Sequence, residues 1–168
     1  MKRMERNRNR RRKQIRRRMN NIDLIKKIRS ETGAGVVDIK KALDEAKNNP
    51  VKAKELLKKR GLEIVAKKSS RNAGQGIIES YVHLGKIGVL VEVNCETDFV
   101  GRNEEFISFA HDLAVHIAAS EAKNIDELMK ESYFKDETQT IEDVLNALVA
   151  KIGEKIVVKR FTKFVLGE

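Results

Sequence analysis

Between Gly88 and Val93 the chain reads Gly-Val-Leu-Val-Glu-Val, and from Asn103 it changes period, with Phe106, Phe109 or Ala110, Leu113 and Ile117 recurring at helical spacing. A short valine-rich run is the mark of a well-buried strand, because β-branched side chains are stiff and pack on a pleated surface. The stripe that follows predicts a helix over roughly 102–120. The intervening Asn94-Cys95-Glu96-Thr97-Asp98-Phe99-Val100 must therefore be a strand-to-helix corner, with a carboxylate and a large apolar ring at its tip. A phenylalanine at an exposed corner is badly placed for its own core. It is a candidate for insertion into another protein, the alternative being a corner plug that packs into its own domain.

Around that corner the pattern predicts an α+β fold. Ile77 to His83 and Ile87 to Asn94 form two strands joined at Leu84-Gly85-Lys86, the first half exposed because Ile78, Ser80 and Val82 alternate with Ile77, Glu79 and Tyr81. Asn124 caps a short helix, Ile141, Val144, Leu145, Leu148 and Ile152 stripe another closed by Gly153, and Ile156 to Val165 is a last strand expected to pair with the hairpin. Val115 and Ala118 lie off the main stripe of the long helix, so a second face is open to cover. Strands and helices without βαβ alternation place the core in the α+β class, as a small antiparallel three-stranded sheet packed with helices.

Upstream, Ile22, Ile25 and Ile28 begin a helix broken at Thr32-Gly33-Ala34-Gly35. Val36, Ile39, Leu43 and Ala46 make a second, stopped by Asn48-Asn49-Pro50; Val51, Ala53, Leu56 and Leu57 make a third, ended by Gly61, with Leu62 to Lys68 extending as helix. Three short helices give a compact bundle with a small core. The expected organisation is a basic, disordered extension over 1–18, a three-helix domain over 19–68, a linker over 69–76 and the α+β core over 77–168.

Charge is distributed unevenly. Residues 1–20 hold 11 Lys or Arg and one Glu, which accounts for the whole net charge of +10 and leaves 24 basic against 24 acidic groups in the rest. The electrostatic case for nucleic acid thus applies to residues 1–18 alone. Three uses of that segment stay open: an RNA-contacting arm, a solvated extension, or a stretch upstream of a natural start at Met19. One cysteine excludes an internal disulfide framework and fits a reducing compartment. No apolar run approaches the roughly 20 residues of a membrane helix, and the N-terminus lacks the apolar middle of a secretory signal. A cytoplasmic protein is the expectation.

The sequence offers little chemistry. His111 and His116 are five apart and face different sides of a helix, so no metal pair is expected. Cys95 sits beside Glu96 and Asp98, neighbours that raise a thiol pKa. Gly33-x-Gly35 follows no strand and belongs to no βαβ unit, so it is expected to be a tight interhelix turn that uses positive φ and not a phosphate cradle. Neither a catalytic group nor a cofactor is expected; the body has the character of a protein that binds.

Thr32-Gly33-Ala34-Gly35 with Asp38-Ile39-Lys40-Lys41-Ala42-Leu43, and Val91-Glu92-Val93-Asn94-Cys95-Glu96-Thr97-Asp98-Phe99-Val100, resemble the bacterial elongation factor Ts family over about residues 19–166. Ala118-Ala119-Ser120 and Ala150-Lys151-Ile152-Gly153-Glu154-Lys155 add to the match. The resemblance implies a guanine-nucleotide exchange factor for elongation factor Tu. The three-helix part would be similar to ubiquitin-associated domains and dock on the partner's nucleotide-binding domain. Thr97, Asp98, Phe99 and Val100 would form the corner pushed beside the partner's Mg²⁺ and phosphate site, with Phe99 as the wedge and Asp98 as the polar contact. The chain also resembles minimal-length members that act as dimers, here non-covalent, with Phe161 and Phe164 of the last strand and the helix around Val115 as contact candidates. Two other functions remain as alternatives: an RNA- or ribosome-associated protein acting through the arginine-rich tail, and a nucleotide-dependent enzyme using the Gly33 turn.

Overall fold

The computed structural model describes residues 22–168, so the extension over 1–18 lies outside the described residues. The chain divides into two compact units, one up to Arg60 and one from Gly61.

The first unit holds helix α1 (22–32), α2 (Val36–Glu45) and the first part of α3 (Pro50–Lys68). Ile28, Ile39, Ala42, Leu43, Ala46, Ala53 and Leu57 are its buried side chains, a small aliphatic core. α1 ends as expected at the glycine turn: Gly33 takes φ 66°, a left-handed conformation that costs a side-chain-bearing residue, and its N–H returns to Arg29 O at 2.9 Å. Asn49 starts α3, its Oδ1 accepting from the backbone N–H groups of Val51 and Lys52, with Pro50 at the first helical position where no N–H is needed. The expected stop at Gly61 does not occur. Gly61 is buried, a Cβ there would lie 3.6 Å from that of Ala150, and the helix continues to Lys68. Tertiary packing outweighs the roughly 1 kcal/mol by which glycine weakens a helix interior.

The second unit is built on an antiparallel sheet in the order β1-β2-β5: β1 (Gln75–His83), β2 (Ile87–Cys95) and β5 (Ile156–Val165). β1 begins two residues before the expected Ile77. β2 is central, pairing Gln75↔Cys95 to His83↔Ile87 on one side and Cys95↔Ile156 to Ile87↔Val165 on the other, with an irregularity between Glu92 and Val93. Its inward residues Val89, Val91, Val93 and Cys95 pack with Phe106, Phe109, Ala110, Leu113 and Ile117 of α5 (Glu104–Ala119). The periodic stripe read from the sequence is thus the buried face, and Ala118 off that stripe is buried too.

Between β2 and α5 stands α4 (Asp98–Gly101), a single turn. α6 (Ile125–Lys130) is capped by Asn124 as expected. A two-stranded hairpin that the sequence pattern did not suggest, β3 (Ser132–Tyr133) with β4 (Asp136–Thr140), then leads to α7 (Ile141–Ile152). The sheet's outer face carries Ile78, Val82, Leu90 and Phe164, all exposed. Phe161 pairs with Val91 and packs against the core, so the two phenylalanines of β5 lie on opposite faces.

Candidate functional site

β2 delivers Cys95 to the bottom of the unit, fully buried, and there the backbone turns. Its thiol donates to Thr97 O at 3.0 Å. The thiol pKa is raised, as expected, but burial is the main cause, with the Glu154 carboxylate and, to a lesser extent, that of Asp98 adding to it. Thr97 is the N-cap of α4: its Oγ1 accepts from Val100 N–H at 3.4 Å.

The rest of the support comes from the loop between α7 and β5. Glu154 accepts from Thr97 twice, from the backbone N–H at 3.1 Å on one carboxylate oxygen and from the hydroxyl at 2.8 Å on the other. Lys155 N–H donates to Glu96 Oε1 at 2.6 Å, and Arg71 Nη1 lies 3.2 Å from Glu96 Oε2. These contacts, the Lys155 N–H first, hold the Glu96 carboxyl below its ordinary pKa. The Lys155 ammonium in turn donates to Ser69 O and Arg71 O at 2.6 and 2.8 Å.

A close backbone approach completes the base. Gly76 sits at φ 140°, and a Cβ there would come within 2.1 Å of Val93 O, so the start of β1 lies against β2 only because this residue is glycine. Gly101, at the end of α4, stacks on it: its Cβ position is 3.7 Å from Gly76 Cα and 3.8 Å from Cys95 Sγ.

On this base the four expected corner residues divide into two pairs. Thr97 and Val100 are anchors, one clamped by Glu154 and the other buried in the core cluster. Asp98 and Phe99 project. Asp98 is half exposed and paired with Arg102 at 3.2 Å, and Phe99 is 83% exposed. Phe99 is therefore not a plug of its own domain. The histidines are kept apart: His111 faces Glu79 at 3.6 Å, whereas His116 is buried with Nε2 2.8 Å from Glu131.

Glu154, Lys155 and Arg71 are the site residues that sequence reasoning left without a role. Ala150 to Lys155 stood out as a motif, but nothing local linked it to Thr97 across 57 positions.

The second unit is of the α+β class, and its corner presents one apolar ring and one carboxylate from a hydrogen-bonded base. A family model described as Elongation factor TS matches residues 96–168. The elongation factor Ts of Alkaliphilus metalliredigens is 40% identical over 190 residues, covering 86% of this chain and 88% of its own length. That of Thermotoga maritima is 39% identical over 191 residues, covering 88% and 96%. That of Clostridium kluyveri is 41% identical over 146 residues, covering 86% of this chain but 48% of its own. The chain belongs to the elongation factor Ts family, and with it to the factors of translation elongation.

Proposed function

We propose that this protein binds GDP-bound elongation factor Tu and promotes GDP release by disturbing the partner's Mg²⁺ and phosphate site with the Thr97–Val100 corner. The observation that carries this is Phe99, a large ring left 83% exposed on a backbone fixed on both sides. Exposing such a side chain forgoes about 1.5–3 kcal/mol of burial that the fold gives its other core rings, and a rigid presentation lowers the cost of inserting it elsewhere. Nucleotide affinity in such GTPases rests on Mg²⁺ and backbone groups around the phosphates. A ring that shifts those elements removes several charge-assisted contacts together, and the factor needs no catalytic group or cofactor of its own. Linkage makes the effect reciprocal: nucleotide must weaken the factor's binding by the factor by which it is itself weakened.

In the same proposal residues 19–68 form the docking domain, similar to ubiquitin-associated domains, 69–76 a linker and 77–168 the working core, all in the cytoplasm. No helix among the described residues is long and apolar enough to cross a membrane. A second copy of the chain covers the outer sheet face, where Ile78, Val82, Leu90 and Phe164 are exposed together. Cys95 is buried on the opposite face, so such a dimer is non-covalent. Of the expected contacts Phe164 serves this face, whereas Phe161 packs inward. Light scattering tests it: a dimer mass lost on Phe164→Asp is expected, and a monomer at working concentration removes the idea.

The exchange proposal is tested by the release of a fluorescent GDP analogue from elongation factor Tu. The intact chain should accelerate release strongly, and Phe99→Ala and Asp98→Ala should each lose most of the acceleration. Failure of the intact chain to accelerate release would overturn the proposal; unchanged corner variants would overturn the assignment of the site.

A further inference from the structure

Two helix ends meet beneath the corner. The last part of α3 packs on α7, Gly61 against Ala150, and the two C-termini come within reach of each other. A helix C-terminus leaves carbonyls without partners and carries the negative end of the dipole, so two of them together are unfavourable unless a cation intervenes. Here each end supplies the cation for the other. The ammonium of Lys68, the last residue of α3, donates to the carbonyl of Gly153, the left-handed cap of α7. The Lys155 ammonium, just past that cap, donates to Ser69 O at 2.6 Å and Arg71 O at 2.8 Å, just past the end of α3. Lys68 and Lys155 are both partly buried, whereas the neighbouring Lys67 is exposed.

The same loop serves the corner from its other side. Glu154 accepts from Thr97, and the Lys155 N–H donates to Glu96, which Arg71 also meets. All of these groups belong to the second unit, but α3 itself begins at Pro50 in the first. A continuous path therefore leads from the exit of α3 through the Ser69 and Arg71 carbonyls, the Lys155 side chain and the Lys155 backbone to the entry of α4.

We propose that Lys155 is a positioning residue for nucleotide exchange, one that makes the exit of α3 and the Thr97–Val100 corner a single mechanical element. This rests on the exchange reading above and adds a regulator to it. The ammonium holds the exit of α3 while the N–H of the same residue holds Glu96, so a displacement of one is felt by the other. Residues 69–71 are then a strut of the corner and not a free spacer. Binding at a distance helps a working geometry only where the connection is stiff. Docking through the helices that end at Lys68 is delivered to Asp98 and Phe99 by this strut.

The test pairs amide hydrogen exchange with GDP release from elongation factor Tu, both in the full chain. Lys155→Met keeps the aliphatic stem and the backbone N–H but removes the ammonium, and Lys155→Arg keeps charge and donors. The ammonium has its partners at residues 69 and 71 and not in the corner, yet Lys155→Met should quicken exchange at the Thr97 amide by about tenfold. Val91 and Leu113 should stay as protected as in the intact chain, which shows that the fold is kept. The maximal rate of GDP release should fall by about tenfold, with the half-saturating concentration changed by less than about twofold. Lys155→Arg should restore both readouts. Unchanged exchange at Thr97, lost protection at Val91 as well, or a raised half-saturating concentration at unchanged maximal rate would each overturn the proposal. An intact chain that fails to accelerate release overturns the exchange reading, and exchange at Thr97 then decides by itself whether Lys155 holds the corner.

Discussion

Phe99 and Phe106 lie seven positions apart and occupy opposite environments: one is 83% exposed on α4, the other is 0% exposed on α5. Both follow a polar N-cap, Thr97 and Asn103, so each belongs to a helix with its own start. In α5 the stripe continues for four turns and gives Phe106 a core to enter. In α4 the single turn ends at Gly101, and only Val100 turns inward. The difference shows that one local grammar, cap then aromatic, builds a core or a probe according to whether the helix is long enough to present a second apolar residue on the same side.

The largest expected effect lies on the buried side. Phe106→Ala should lower unfolding free energy by about 3–5 kcal/mol in urea titrations, while Phe99→Ala should change it by less than about 0.5 kcal/mol. Equal losses would dissolve the contrast between the two rings. Function should reverse the order: Phe99→Ala is expected to remove about 2 kcal/mol or more of interaction with elongation factor Tu, the scale of a central interface residue, as read from GDP release.

A smaller effect is expected at the clamp. Glu154→Ala leaves the Thr97 N–H and hydroxyl without their acceptor, a loss of about 1–3 kcal/mol if water does not replace it; Glu154→Gln keeps one acceptor oxygen and should recover part of that. Amide hydrogen exchange at Thr97 should quicken in both variants, more in the alanine form, and GDP release should slow in the same order. Unchanged exchange at Thr97 would show that the corner is held without Glu154.

The smallest effect concerns acid. Glu96 has a folded-state pKa below its ordinary 4.5, from the Lys155 N–H and Arg71. The unfolded chain then binds the proton more readily, so the group's contribution is complete above the ordinary carboxylate range and is lost as pH falls through the depressed folded value. Intact protein and Glu96→Gln should therefore differ in stability at neutral pH, the difference shrinking as pH falls through the ordinary carboxylate range and vanishing only below the depressed folded value. A gap that persists there would assign the contact to geometry and not to charge.

The sequence carried the parts of this fold that periodicity encodes. The β1–β2 hairpin, the α5 stripe, the glycine turn after α1 and the corner itself were legible because their signals lie within a dozen residues. β3 and β4 were not, since Asp136-Glu137-Thr138-Gln139-Thr140 is polar and has no apolar alternation. Gly61 misled because its helix-weakening tendency is local while its close contact with Ala150 is tertiary. At the site, the tip residues were visible and their support was not. Glu154 and Lys155 reach Thr97 and Glu96 across 57 and 59 positions, and no local pattern records a pairing of that range.

That range has a consequence for how the molecule comes into being. A ribosome makes the corner well before it makes Glu154, and β5, which flanks β2 at Cys95↔Ile156, follows later still. Throughout that interval the nascent chain holds Phe99 on a backbone that lacks its clamp and its neighbouring strand, because contacts of long sequence separation form only after the intervening loop is available to close. The corner therefore acquires its Glu154 clamp late, and a chain interrupted before residue 154 carries every residue of the corner without that clamp.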